Sequence, residues 1–345
     1  MSGPKVDRTP TSVLSGPGGP DYGPALRFGK CSSLSLKPER LATRMGGVTP
    51  ILFVPGGMLV SLEREILNAA ESFMRRLLTF ARGTRLPTYK TEEEREGLRA
   101  AGRFNSQLLD FLRDQVQVGV TTNQLDKLAE SFTRDHGHIP ACYGYQGYPK
   151  TICASVNDVV CHGIPSDKPL KSGDIVNLDC TTIVKGWYGD SSETFMVGEV
   201  TPQTKRLVQL AFDALWLGIG VLKPYSAVID IGTVIARFGR QNDVGIVENF
   251  QGHGIGRKFH QDPGIPHVPN RKSRKDILTP GVCFTIEPMV NLGTKDTDGP
   301  LSDGWTVLTK DRALSAQFEH QILMTEDGPE ILTLTKNGPQ VGHRF

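Results

Sequence analysis

The chain of 345 residues is 38% hydrophobic and 22% charged, a composition that excludes a disordered or fibrous protein and allows one large or two medium domains with real cores. Its formal charge of +2 is unevenly divided: residues 1–89 hold 12 Lys+Arg against 6 Asp+Glu, or +6, which leaves −4 for the remainder. A mildly acidic body argues against a nucleic-acid enzyme, and no run of about 18 uninterrupted apolar residues is present to span a bilayer.

In chain order, residues 1–50 are rich in Gly, Pro and Ser and are expected to be a disordered extension. Residues 51–89 are expected to be a partly helical extension, with helical periodicity from Ser61 to Phe80. The Arg- and Ser-rich, acid-poor composition also fits an organelle transit peptide, as an alternative to a cytoplasmic protein. Six cysteines without a C-x-x-C pair fit reduced thiols in a cytosol-like compartment.

From Lys90 the texture changes. Thr91 with Glu94 forms a capping-box pattern that opens a helix through Leu98, Phe104, Leu108 and Leu112. Thr121 or Thr122 caps a second helix that ends near Gly137, and a loop dense in Tyr and Gly follows at 141–149. Strand-like runs occupy 150–163 and the stretch 177–190, helical patterns return at 201–218 and 227–240, and strands fill most of the rest. Helices and strands in blocks predict an α+β fold, with a main domain over 90–335 and a tail over 336–345.

The stretch Asn177–Asp190 reads as a β-hairpin turning at Lys185-Gly186. A two-residue loop there sets Asp190 opposite Thr181, which shares a face with Asp179 because side chains alternate along a strand. The two carboxylates are then diagonal neighbours that could grip cations or could be solvated acids. Three further elements supply polar groups: His253 among glycines, Glu287 before Pro288, and Glu319 on the same face of a strand as Gln317 and Gln321. Four carboxylates and a histidine suit two divalent ions of borderline hardness, a pairing used to hydrolyse amide or phosphate bonds.

The ordered series Cys161-His-Gly-Ile-Pro165, Asp179 and Asp190, Gly252-His-Gly-Ile-Gly256, Thr285-Ile-Glu-Pro-Met289 and Gln317-Phe-Glu-His320 resembles that of methionine aminopeptidase type I. The likeness runs from about Lys90 to Leu334 and leaves residues 1–89 outside. It implies a pita-bread fold with pseudo-twofold halves around a dinuclear metal site, and metal ligands at Asp179, Asp190, His253, Glu287 and Glu319. It implies catalytic roles for His162, His260 and Glu287, with Glu287 as proton acceptor and His260 as donor to the substrate carbonyl. It implies a methionine pocket of Cys142, Tyr145, Tyr148, Cys153, His162, Phe259 and Trp305.

The implied activity is removal of N-terminal methionine from nascent chains with a small second residue. The implied cofactors are two divalent ions, Co, Mn, Fe or Zn. The expected partners are nascent polypeptides and the ribosome, with no membrane and no nucleic-acid substrate, and the protein is expected to act as a monomer. Two other readings are a prolidase-like Xaa-Pro peptidase and a non-catalytic binding paralogue, which the full ligand set disfavours.

Overall fold

The computed structural model describes residues 86–345. The extension expected over 1–50 and the helix expected over 61–80 lie outside these residues. Among the described residues, no helix is long and apolar enough to cross a membrane.

Two helices open the described chain, α1 (Glu92–Arg113) and α2 (Thr122–Asp135). Each begins with a capping box. Thr91 Oγ1 accepts from the Glu94 N–H at 3.2 Å while the Glu94 carboxylate accepts from the Thr91 N–H at 3.0 Å. Thr121 and Gln124 repeat the exchange at 3.1 and 2.8 Å. These bonds satisfy amides that the first helical turn leaves unpaired.

Three antiparallel strands follow against those helices: β1 (Cys153–Val156), β2 (Ile175–Val184) and β3 (Trp187–Met196). β2 pairs with both others, and Val184 faces Trp187 across the two-residue loop Lys185-Gly186. Both loop residues have positive φ, 49° and 79°, as a primed hairpin turn requires. Alternation along β2 then divides its two faces. Val176, Leu178 and Cys180 pack with Leu108, Leu109 and Leu112 of α1 and Leu125 and Ala129 of α2. Asn177, Asp179 and Thr181 point the other way, toward the middle of the molecule. Burying a leucine such as Leu178 contributes on the order of 2 kcal/mol, so a one-residue slip that exchanged the faces would be strongly opposed.

The second half repeats the plan. Helices α3 (Pro202–Gly220) and α4 (Ile229–Gln241) cover strands β4 (Gln251–Gly254), β5 (Gln261–Pro266), β6 (Cys283–Ile286), β7 (Met289–Asn291), β8 (Ser315–Gln317) and β9 (His320–Met324). Leu207, Phe212, Leu215, Ile231 and Ile235 pack on Phe284, Ile286, Val290, Phe318 and Ile322. Thr285 and Gln321, paired across β6 and β9, face inward. The helix-backed strands of the two halves thus turn polar residues to a common centre, the two-halved α+β arrangement expected.

One expectation is corrected. Glu319 does not share a continuous strand with Gln317 and Gln321: the chain breaks between β8, which pairs with β7, and β9, which pairs with β6. The partner run breaks at the same level, at Glu287-Pro288. Pro288 has no N–H for a ladder, the Glu319 N–H goes to Ser192 O at 3.0 Å, and the Glu287 N–H goes to His267 Nε2 at 3.1 Å. Both glutamates therefore stand at a paired interruption.

The packed body also extends past residues 90 and 335. Leu86 lies in the second-half core, and the Tyr89 N–H bonds Gly281 O at 2.8 Å. At the other end Phe345 packs on Phe212 and Phe318.

Candidate metal centre

Every site residue singled out in the sequence lines one cavity of about 670 Å³ between the two halves. Asp179 and Asp190 come from the hairpin. Thr181 pairs with Asp190 in the register that the Lys185-Gly186 turn demands, and its hydroxyl donates to Asp190 Oδ1 at 2.8 Å. The Asp190 N–H donates to Gln321 Oε1 at 3.1 Å, which fastens the hairpin to the second half.

His253, Glu287 and Glu319 arrive from the facing half. Thr285 links two of them: it accepts from the His253 N–H at 3.0 Å and donates to Glu287 Oε1 at 2.8 Å. Gln317 donates to Glu287 Oε2 at 3.3 Å. His253 Nδ1 lies 3.1 Å from Gly254 O, and a proton on Nδ1 leaves Nε2 free toward the cavity. That Nε2 is 3.5 Å from Asp190 and 3.8 Å from Glu287. Ligand atoms of Asp190, His253 and Glu319 all lie within 4.8 Å of one another.

The electrostatics of this cluster are unfavourable without a cation. Burial and then the neighbouring Asp190 push Asp179 and Glu319 well above the ordinary carboxylate range, and burial raises Glu287 to about 7. Burial would lower His253, but its bond to Asp190 and the Glu287 charge hold it above the usual histidine value. The cavity lining contains no arginine, and its one lysine, Lys272, stands 75% exposed at the rim. Four crowded carboxylates facing one imidazole, with oxygen and nitrogen donors and no thiolate among them, fit divalent cations of borderline hardness.

The same crowding predicts an effect on stability. A carboxyl raised in the folded state favours folding most below the unfolded value, about 4, and that contribution is lost as pH rises through the folded value. His260, exposed at the cavity, and the more buried His267 and His320 are lowered by desolvation and act in the opposite sense, so the comparison must be differential. Metal-free Glu287→Gln is expected to melt above the metal-free parent, by a margin that widens from about pH 6 to about pH 8. Calorimetry of the chelated pair checks this, and a margin that shrinks over that range contradicts it.

Beside the carboxylates, Cys142, Tyr148 and Cys153 form a buried cluster with Ile164, Phe259 and Trp305. The Tyr148 hydroxyl donates toward Ile152 O at 3.1 Å and Gly163 O at 3.0 Å, so its polar end is occupied and its ring is left to line the cavity. His162 has φ of 56° and stands edge-on to Phe250 and Trp305. Its neighbour Gly163 lies so close to β1 that a Cβ there would meet Ala154 O at 2.4 Å.

Tyr145 does more than line a wall. Its hydroxyl is 2.8 Å from His260 Nδ1, a contact between residues 115 apart that periodicity could not reveal. His260 is exposed to the cavity, yet desolvation by the walls around its ring lowers it to about 4, so the ring is neutral near pH 7. With Tyr145 donating to Nδ1, the single ring proton sits on Nε2 and is available to the cavity. Tyr145→Phe is therefore expected to lower kcat about tenfold with little change in KM. Steady-state kinetics check this, and an effect confined to KM would reject the orienting role.

The sequence did not single out Phe250, Gln251, Asp262 or Lys272, which also line the cavity. Only the basic run around Lys272 left a signal in the sequence.

A family model described as metallopeptidase family M24 matches residues 96–326. A methionine aminopeptidase of Rickettsia prowazekii is 48% identical over 245 residues, covering 71% of this chain and 94% of that protein. The crystal structure of methionine aminopeptidase from Rickettsia prowazekii aligns with a TM-score of 0.70 at 47% identity, covering 72% of this chain and 100% of that one. A prolidase from Pyrococcus furiosus aligns with a TM-score of 0.56 at 20% identity, over 72% of this chain and 66% of that one, a likeness of fold.

Proposed function

The chain belongs to metallopeptidase family M24, with that family's pita-bread fold, and from this premise we propose that it is a methionine aminopeptidase. It is a metal-dependent hydrolase that removes the N-terminal methionine of peptides and proteins. The observation that carries the reading is the buried cluster of rings and thiols that lines the same cavity as the carboxylates. A cavity of this make-up suits an unbranched thioether, which gains from sulfur–aromatic contact.

Asp179, Asp190, His253, Glu287 and Glu319 would hold two divalent ions. When bound, such ions polarise a carbonyl and make water a nucleophile near neutral pH. The chain's own residues do the rest. Glu287, fixed by Thr285 and Gln317, takes the proton from the attacking water. His260, held by Tyr145, offers its Nε2 proton to the carbonyl oxygen as charge develops there. His162, facing Phe250 and Trp305, stands beside the scissile bond and helps to exclude water. The buried end of the pocket seats methionine, and the enzyme acts as a cytoplasmic monomer on newly made chains with a small second residue.

Release of methionine from a Met-Ala-Ser peptide by the metal-loaded protein tests the reading. Turnover is expected with at least one of Mn, Fe, Co or Zn, and no turnover with any of them overturns it. Cleavage of an Ala-Pro peptide alone would select prolidase chemistry instead.

A further inference from the structure

The cavity continues past the carboxylates to an outer rim that the roles above leave unused. Gln251, Gln261, Asp262 and Lys272 line it there, and Lys272 and Asp262 are 75% and 58% exposed. Lys272 belongs to Arg271-Lys-Ser-Arg-Lys275, in which all four cations are exposed and only Ser273 is buried. Ser273 ties the run down: its hydroxyl donates to Asn270 O at 2.8 Å and its carbonyl accepts from the Ile229 N–H at 3.1 Å. The Lys275 N–H closes the turn on Lys272 O at 3.0 Å. Four positive charges are thus held on a fixed turn, of which Lys272 lines the cavity, on a body whose net charge over residues 90–345 is −4.

Among the described residues Asp262 faces this run, its carboxylate 3.7 Å from Lys272 Nζ. It offsets one charge of four through an exposed, weak pair. Asp276, next along the chain, is buried.

With the methionine side chain seated, as proposed above, at the buried end among Cys142, Tyr148 and Cys153, the peptide beyond the second residue must leave by the open side. We propose that Lys272, with Arg271, Arg274 and Lys275, forms a cationic exit strip that selects substrates carrying acidic residues a few positions after the methionine. This rests on the methionine-aminopeptidase reading. A Debye length of about 10 Å at 0.1 M salt spans about three extended residues, so the strip acts on the short peptide segment that passes Lys272.

The test compares Met-Ala-Ser followed by Glu₃, Gln₃ or Lys₃, on the full metal-loaded chain and on Lys272→Glu and the fourfold charge reversal. At low salt the Glu₃ peptide is expected to show a KM about tenfold below that of Lys₃ at similar kcat, with the ratio collapsing as salt rises. The ratio is expected to shrink in Lys272→Glu and to invert in the fourfold variant. Equal KM values for the three peptides, or a ratio that ignores charge reversal, overturn the strip while Gln₃ cleavage leaves the underlying reading intact. No methionine release from any peptide overturns both. A strip whose reversal abolishes retention on heparin without moving the KM ratio is a polyanion surface, and that outcome also overturns the proposal.

Discussion

Asp190→Asn is expected to reduce methionine release by at least about 10³-fold while leaving the chain folded. Asp190 stands between the halves: one oxygen takes the Thr181 hydroxyl and the other lies 3.5 Å from His253. A carboxamide fills the same volume but exchanges one anionic oxygen for an N–H₂ group that repels a cation. The charge it deletes is one that Asp179 and Glu319 face across a buried site. The metal-free variant should therefore melt at or above the metal-free parent, as is common where a functional charge cluster opposes folding. Activity assays with saturating metal and paired calorimetry check both halves of the claim. A tenth or more of the activity retained, or a marked fall in the melting temperature of the metal-free variant, contradicts it.

The second large effect is on the fold. Gly189→Val is expected to cost more than about 3 kcal/mol, beyond the top of the usual overpacking range. A Cβ at Gly189 would lie 2.3 Å from Ala101 O and 2.6 Å from Ala101 C, both backbone atoms of α1. Such atoms cannot rotate away, so α1 must lift off the hairpin and loosen the packing of Leu98 and Phe104 behind the site. Gly220→Ala at the end of α3 is the contrast: open space surrounds that position, and the substitution should be neutral or stabilising by up to about 1 kcal/mol. Urea midpoints of the two variants, read against the parent, decide the point, and similar midpoints for both would contradict it.

What the sequence disclosed and what it hid divide along chain distance. The capping boxes at Thr91 and Thr121, the hairpin turn and the shared face of Asp179 and Asp190 are local consequences of a few residues, and the structure places each as expected. The candidate ligand positions were legible as an ordered series of motifs, and all of them line one cavity. The break that sets Glu287 and Glu319 at the ends of paired strands was not legible, because an apolar run with alternating polar residues reads as one strand whether or not its partner changes midway. Tyr145 meeting His260, and Tyr89 filling the space beside Gly256, depend on which loops approach in three dimensions. Neither approach has a periodicity to betray it.

The distribution of the centre along the chain sets a condition on its synthesis. Asp179 and Asp190 emerge early, but the cluster is closed by Glu319, whose amide is fastened to Ser192 O on the older half. A copy still being translated therefore holds a half-built set of anions and no working centre until residue 319 is free to dock. An enzyme that acts on the beginnings of other chains is thus kept idle until the late part of its own is made.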